Sequence, residues 1–256
     1  MQTEPYAALS LLYDTFMQDD IRYDDWALHI RSILEKNGIN DGLVCDLGCG
    51  SGIITAKLAG VGYDMIGIDS SPEMLMQARE RADGSGILYL NQDITSFELY
   101  GTVRAFISTC DVINYIIKTE DLEKVFRLVN NYLDPGGIFI FDIHTRYYYE
   151  KICASNTFSA VNEDGAYIWE NDYDRETGEN RYNVTIFVRE DTESDEEFYG
   201  RFEEEHIEKA YSAAEIKSAA ESSGLKVISV TDDYTDATLR PDSTRAVFVV
   251  TGDGSL

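Results

Sequence analysis

The 256-residue sequence predicts a mixed α/β fold, a mostly parallel sheet with helices on both faces, carrying an antiparallel β insertion. Three observations predict it. Strand-like apolar runs alternate with helix-period segments from residue 43 to 143, the pattern of parallel strands joined by helical crossovers. A glycine-rich turn, Gly48-Cys49-Gly50-Ser51-Gly52, separates the first of these strands from the first of these helices. Residues 144–206 then drop the alternation for strand patterns alone.

At the N-terminus, residues 5–17 place Leu9, Leu12, Tyr13 and Phe16 on one helical face. Residues 24–36 do the same with Trp26, Ile30, Ile33 and Leu34, and stop at Asn37-Gly38. Leu43 to Cys45 open the first strand, and Ile53, Ile54, Lys57 and Leu58 give the helix after the turn. Glycines at 48, 50 and 52 remove side chains where a ligand must approach the backbone. A helix starting there aims unpaired N–H groups and a positive dipole end at the space above.

Asp64 to Asp69 is a second strand ending in an acid, and Ser70-Ser71-Pro72-Glu73 caps the helix that buries Met74, Leu75 and Ala78. Ile87 to Leu90 is the third strand, leading into Asn91-Gln92-Asp93-Ile94. Arg104 to Cys110 is the fourth, running into Asp111-Val112-Ile113-Asn114-Tyr115. Leu122, Val125, Phe126, Val129 and Leu133 give a helix ended by Asp134-Pro135-Gly136-Gly137, and Ile138 to Ile143 is the fifth strand. In the insertion, Ala166–Tyr173 and Arg181–Val188 flank a turn at Thr177-Gly178-Glu179-Asn180, and Phe198–Ile207 follows the acidic loop Glu190 to Glu197. Ser212-Ala213-Ala214-Glu215 opens a capped helix ending near Gly224, and Leu225–Val230 with Ala246–Val250 close the sheet edge.

Spacing decides between ligands for the glycine turn. A dinucleotide fingerprint needs a sixth-position glycine, which is Ile53 counted from Gly48, and a P-loop needs Gly-Lys-Ser/Thr, which is absent. What remains is Asp46 two residues before Gly-x-Gly-x-Gly, with a plain glycine turn that holds no ligand as the alternative. Asp46-Leu47-Gly48-Cys49-Gly50-Ser51-Gly52 resembles motif I of the class I S-adenosylmethionine-dependent methyltransferases. The acid suits that cofactor's ammonium and sulfonium and would repel a pyrophosphate. The matches continue in order down the chain, over about residues 5–143 and again 206–251.

The resemblance implies a Rossmann-like seven-stranded sheet in the order 3-2-1-4-5-7-6, with residues 1–143 and 207–256 as the cofactor-binding core and N-terminal helical lid. It implies S-adenosyl-L-methionine as cofactor, held by Asp46, Gly48, Cys49 and Gly50 at the turn and by Asp69 on the ribose hydroxyls, with Ser70 and Met74 beside it. Gln92, Asp93 and Ile94 fall where the adenine is met, and Cys110 and Asn114 where the methionine part lies. Tyr13, Tyr23 and Trp26 are the lid's candidates for contact, with plain core packing as the alternative for each. The 144–206 insertion is expected to roof the acceptor with Tyr167, Trp169, Tyr173, Tyr182 and Phe187, or to form a homodimer surface.

Three histidines exist. His144, after the fifth strand, is the first candidate base, His206 the second, and His29 lies on the lid helix. Each has the alternative of a merely structural histidine. No HxxxH or paired-cysteine spacing points to a metal. A net charge of −26, from 21 basic and 47 acidic residues, disfavours nucleic acid, and Arg79-Glu80-Arg81 is the densest basic spot. No apolar run reaches membrane-spanning length, Met-Gln-Thr-Glu-Pro is no secretory signal, and four cysteines without CxxC spacing read as cytoplasmic thiols. The sequence therefore reads as a cytoplasmic enzyme methylating a nitrogen or oxygen of a small molecule by in-line displacement. Its rivals are a cofactor-binding sensor or scaffold and, more remotely, a nicotinamide oxidoreductase.

Overall fold

A computed structural model describes residues 3–17, 21–82, 84–190 and 197–252. Parts of two sequence segments, residues 18–20 before the second helix and 191–196 in the acidic loop, lie outside them. Seven strands form one sheet: β1 (Leu43–Leu47), β2 (Asp64–Asp69), β3 (Leu88–Asn91), β4 (Val103–Ser108), β5 (Leu133–His144), and the two last in the chain, β10 (Leu225–Asp232) and β11 (Arg245–Gly252). The order is β3-β2-β1-β4-β5-β11-β10, which is the expected order with the insertion's strands left out of the count. Pairing is parallel from β3 to β5 and antiparallel at β11 and β10.

Both faces of this sheet are covered, which is why its central strands are apolar throughout rather than alternating. One face packs Leu122, Val125, Phe126 and Val129 of α5 (Thr119–Tyr132) and Ile216, Ala219 and Ala220 of α6 (Ala213–Ser222). The other packs Trp26, Ile30, Ile33 and Leu34 of α2 (Tyr23–Lys36) with Ile54 and Leu58 of α3 (Ile53–Gly60). The caps read from sequence are present. Ser71 Oγ accepts from Met74 N at 3.2 Å at the start of α4 (Pro72–Arg81), and Ser212 and Glu215 form a reciprocal box on α6.

The insertion is a second, four-stranded antiparallel sheet, β6 (Thr157–Val161), β7 (Gly165–Asp174), β8 (Glu179–Glu190) and β9 (Phe198–Lys209). Strand β6 and one π-type turn at Tyr148–Cys153 were not legible in the sequence. The N-terminal helix is shorter than its apolar spacing predicts: α1 is Ser10–Met17, and residues before it run as turns. The reason lies in β9. The buried Glu204 carboxylate accepts from the backbone N–H of Tyr6 (2.8 Å), Ala8 (2.7 Å) and Leu9 (3.0 Å), donors that a helix start would leave unpaired. The first helix then packs Leu9 and Leu12 against Tyr149, Tyr167, Tyr182, Val184 and Ile186.

One side chain joins the two sheets. Asn114, fully buried in a 3₁₀ turn (Val112–Tyr115), accepts from His144 N (2.9 Å) at the end of β5 and donates to His144 O (3.1 Å) and to Lys209 O (2.8 Å) at the end of β9. Each buried group left without a partner costs about 1–3 kcal/mol. Asn114→Ala is therefore expected to lower the unfolding free energy by roughly that much per lost bond, read as a lower urea midpoint at unchanged slope, and an unchanged midpoint would show that water takes over these bonds.

Candidate functional site

The carboxyl ends of β1, β2, β3 and β4 open into a cavity of about 1410 Å³, closed from the other side by residues 3–7 and α1. The glycine turn forms its floor, and its glycines serve two purposes. A Cβ on Gly48 would lie 2.5 Å from Val112 Cγ1, and one on Gly52 would lie 2.6 Å from Tyr89 Oη, so those two serve packing. Gly50 would meet only Met74 Cε, at 3.9 Å, so its missing side chain leaves the floor open to a ligand. Past it, α3 starts with no side-chain cap.

Asp69 ends β2 beside the turn. Its Oδ2 accepts from Gly50 N and its Oδ1 from Ser71 N, both at 2.8 Å. Two backbone donors fix the carboxylate while leaving each oxygen a lone pair for a hydroxyl. Ser70, Met74, Asp93 and Ile94 line the same end, and Asp93 Oδ1 closes its own turn by accepting from Thr95 N and Oγ1. Cys49 and Cys110 line the cavity as expected, as do Tyr13 and Tyr23 of the lid. An open glycine, an anchored acid at the ribose place and a cavity without a phosphate cradle fit S-adenosylmethionine; when bound it supplies an activated methyl on a sulfonium.

Four candidates stand elsewhere. Gln92 turns away, accepting from Glu98 N (2.8 Å) and reaching Glu98 O (3.4 Å), so it holds its loop rather than lining the cavity. Asn114 joins the two sheets as described above. Trp26 is core: its ring stacks on Tyr234 at 4.3 Å and carries the Arg245 guanidinium at 4.9 Å. Asp46 is buried beneath the turn; Oδ2 accepts from Thr55 Oγ1 at 2.6 Å, and Oδ1 has no partner among the described residues.

The insertion's aromatics are also not the roof that the sequence suggested. Tyr167 and Tyr182 are buried with Trp169 and Tyr173 in the core shared with α1, and none of the five expected residues lines the cavity. Its far end is lined instead by Tyr6, Tyr13, Tyr23 and Tyr115, and β9 contributes Glu205. Tyr6 and Tyr115 were missed because the chain places them by contacts with β9, distant in sequence; the one local signal was the alternation of Glu204, His206 and Glu208 at strand spacing, which buries all three on one face.

His144 is brought near the site but not into it. Its Nε2 accepts from Arg245 Nη2 at 2.6 Å, because a guanidinium can only donate, and its ring stacks on Tyr148 at 3.7 Å. Burial and the Arg245 charge hold its pKa well below the usual histidine range. With its basic nitrogen occupied, His144 is a poor base here. His206 is buried on β9 and meets Tyr115 Oη through Nδ1 and Glu204 Oε2 through Nε2, both at 3.1 Å. His29 lies on α2, edge-on to Tyr234 at 6.4 Å. Asp111, His144 and Glu208 bring one ligand atom each within 4.8 Å, a group assembled from three elements and so without a spacing signal. Arg245 already supplies positive charge there, bonding Asp111 Oδ1 at 3.0 Å.

Comparison with known proteins gives four findings. Residues 44–137 match the family model described as a methyltransferase domain. The chain is 31% identical over 247 residues to the "Putative methyltransferase YqeM" of Bacillus subtilis (strain 168), with 95% of each covered. Its fold resembles the crystal structure of an S-adenosylmethionine-dependent methyltransferase from Clostridium acetobutylicum ATCC 824, at TM-score 0.85 and 29% identity over 97% of this chain and 99% of that one. The S-adenosylmethionine-bound amino pentose methyltransferase CalS10 of Micromonospora echinaspora shares the fold alone, at TM-score 0.73 and 16% identity, with 94% and 96% covered.

Burial raises the Asp46 carboxyl to about 7, with the nearby Asp69 adding and the Thr55 bond opposing. The unfolded chain releases that proton near pH 4, so the contribution of Asp46 to stability is full below pH 4 and is lost as pH rises through 7. Asp46→Asn, which cannot ionise, is expected to gain on the wild type by roughly 2–4 kcal/mol between pH 4 and 8. Urea unfolding across that range measures it, and a constant difference would mean that Asp46 is ionised throughout.

Proposed function

The chain belongs to the methyltransferase-domain family as a class I S-adenosylmethionine-dependent methyltransferase, and from that premise we propose that it methylates a small molecule at a nitrogen or oxygen, an amine foremost. One observation carries the choice of acceptor. A single cavity holds the glycine turn and Asp69 at one end and four tyrosines at the other, and among the described residues it is lined by Glu4, Asp69, Glu73, Asp93, Asp121 and Glu205 against Lys118 alone. Such a surface attracts cations and repels carboxylated or phosphorylated acceptors. The tyrosine faces suit an ammonium or a sugar-like ring equally.

The residues divide by role. Gly50, Asp69, Asp93 and Ile94 hold the nucleoside part, and Tyr13, Tyr23 and Cys110 border the space between it and the acceptor. Residues 3–7 and α1 keep water out by lying across the opening. Holding nucleophile and methyl in line can supply about 7–11 kcal/mol of the barrier, so positioning is the main task of this site. The insertion acts as the support on which the N-terminal segment is laid, and its other face exposes Val161 and Ile168, the surface on which a second copy would have to dock.

Two measurements test the reading. Transfer of labelled methyl groups to a panel of amino sugars, alkylamines and phenols is expected for an amine and absent for phosphorylated acceptors; no transfer to any member would leave a cofactor-binding protein without catalysis. Calorimetry is expected to show S-adenosylhomocysteine binding and no NAD binding, with Asp69→Ala weakening the former by about 1–3 kcal/mol, the scale of hydrogen bonds to a charged group. Retained affinity in that variant would move the ribose site elsewhere.

A further inference from the structure

The cavity's acceptor end is joined to a buried line of hydrogen bonds. Tyr6 Oη lies 2.8 Å from Tyr115 Oη, Tyr115 Oη lies 3.1 Å from His206 Nδ1, and His206 Nε2 lies 3.1 Å from Glu204 Oε2. Tyr6 and Tyr115 line the cavity, while His206 and Glu204 are both 2% exposed. Aromatic contacts hold the line in place: Tyr6 meets His206 edge-on at 5.0 Å and Tyr13 edge-on at 5.8 Å.

The direction of every bond in this line follows from its buried end. Burial alone would raise the Glu204 pKa, but the bonds from His206, Leu9, Ala8 and Tyr6 outweigh it and hold it below the usual range. An ionised carboxylate only accepts, so Nε2 of His206 donates to it, and the neutral form of the ring then leaves Nδ1 bare. Tyr115 must then donate to Nδ1, and having one proton it can only accept from Tyr6. Tyr6 in turn spends its proton on Tyr115. What it offers the cavity is an oxygen with lone pairs and no proton.

Three other groups face the line around His206. Tyr182 stands opposite it on β8, and Trp169 lies 6.5 Å away on β7. Glu208, two residues along the same face of β9, accepts from Tyr149 and Tyr182 at 2.5 Å and also feels the Tyr115 hydroxyl, and burial pushes its carboxyl up to about 8, which favours the protonated form and weakens its pull on the Tyr115 proton. Burial also raises the Tyr6 and Tyr115 hydroxyls well above the usual phenol range, so both pass protons on without resting as phenolates.

We propose that Tyr6, Tyr115, His206 and Glu204 form a proton relay that takes the proton released by the acceptor's nucleophilic atom, with Tyr6 Oη as the receiving atom. The inference rests on the methyl-transfer reading and names its acceptor class: a nucleophile that carries a proton, such as a primary or secondary amine or a hydroxyl. The balance is complete. The nucleophile's lone pair forms the new bond to the methyl carbon as the carbon–sulfur pair leaves on sulfur. The proton on nitrogen or oxygen passes to Tyr6 Oη, the Tyr6 proton to Tyr115 Oη, and the Tyr115 proton to His206 Nδ1. The imidazolium formed there faces the Glu204 carboxylate, and product release lets the proton return to solvent by the same line. Tyr6 is the catalytic residue of the four; Tyr115, His206 and Glu204 act through it.

The test uses two ligands with a common nucleoside: S-adenosylhomocysteine, and sinefungin, whose ammonium replaces the transferable methyl group. In the wild type, nitrogen-15 spectra of the three histidines are expected to show His206 protonated on Nε2 and bare on Nδ1. Tyr115→Phe should move the Nδ1 resonance. Tyr6→Phe should weaken sinefungin about tenfold while S-adenosylhomocysteine stays within twofold, because only the ammonium meets the Tyr6 oxygen. A proton on His206 Nδ1, or an equal loss for both ligands in Tyr6→Phe, would overturn the relay and leave the tyrosines as packing. Failure of both ligands to bind the wild type would instead overturn the methyltransferase site, and the relay with it.

Discussion

A buried carboxylate at the end of β5 decides the shape of the cavity's inner wall. Asp142 is fully buried and accepts from four donors: Asp111 N at 2.7 Å, Cys110 N at 3.3 Å, Tyr234 Oη at 2.8 Å and Arg245 Nη1 at 2.8 Å. The two backbone donors belong to consecutive left-handed residues, Cys110 at φ 60° and Asp111 at φ 56°. Non-glycine residues held there cost on the order of 1–3 kcal/mol each and persist only where their surroundings insist. Asp142 is what insists. Without it, β4 would run on straight, and the turn that carries Val112 over Gly48 and presents Tyr115 to the cavity would have no anchor.

Arg245 completes that anchor from β11. Burial alone would lower its pKa; Asp142 and Asp111 outweigh it and keep the guanidinium charged. It also covers the Trp26 ring and fills the basic nitrogen of His144, so one cation fixes helix α2, a strand end and a histidine. Buried ion pairs of this kind often add little net stability, since desolvation offsets attraction, but a wrong arrangement is heavily penalised. The network therefore acts chiefly as a specification of geometry, which suits a site whose main task is alignment.

What the sequence revealed and what it hid divide along this line. The glycine turn, the strand end at Asp69 and the capped helices are local: each depends on residues within a few positions, and each was legible as structure. Alternating strands and helices made the parallel sheet legible, and the strand order came from the family resemblance that the glycine-turn motif carries. The cavity's far wall was not, because it is assembled across the chain. Tyr6 sits in a left-handed conformation at φ 64° because Glu204, on β9, captures the N–H groups of its segment. No pattern near residue 6 announces that. On β9, Glu203-Glu204-Glu205-His206 reads as a solvated charge run, and only strand pairing shows that alternate members are buried. His144 misled for the opposite reason: its position was right, but its partner Arg245 is about a hundred residues away and takes the nitrogen that a base would need.

The same N-terminal segment serves both ends of the site, and this makes the two ends dependent on each other. On the cofactor side, Asp14 of α1 accepts from Ser51 Oγ at 2.6 Å and pairs with Arg81 of α4, while Gln77 donates to Ser10 O at 2.6 Å. On the acceptor side, Glu204 holds residues 6–9 and the insertion sheet receives Leu9 and Leu12. A segment pinned at both ends cannot shift over the nucleoside without moving Tyr6 relative to Tyr115. The pins differ in strength. Those to Ser51 and Arg81 are few, and Arg81 is partly exposed, whereas those to Glu204 are buried and charge-assisted. Residues 6–9 are therefore fixed on β9 more firmly than α1 is fixed on the glycine turn. The insertion thus holds both elements that carry the cavity's paired tyrosines, through Glu204 for the segment of Tyr6 and through Lys209 O, which accepts from Asn114, for the turn of Tyr115.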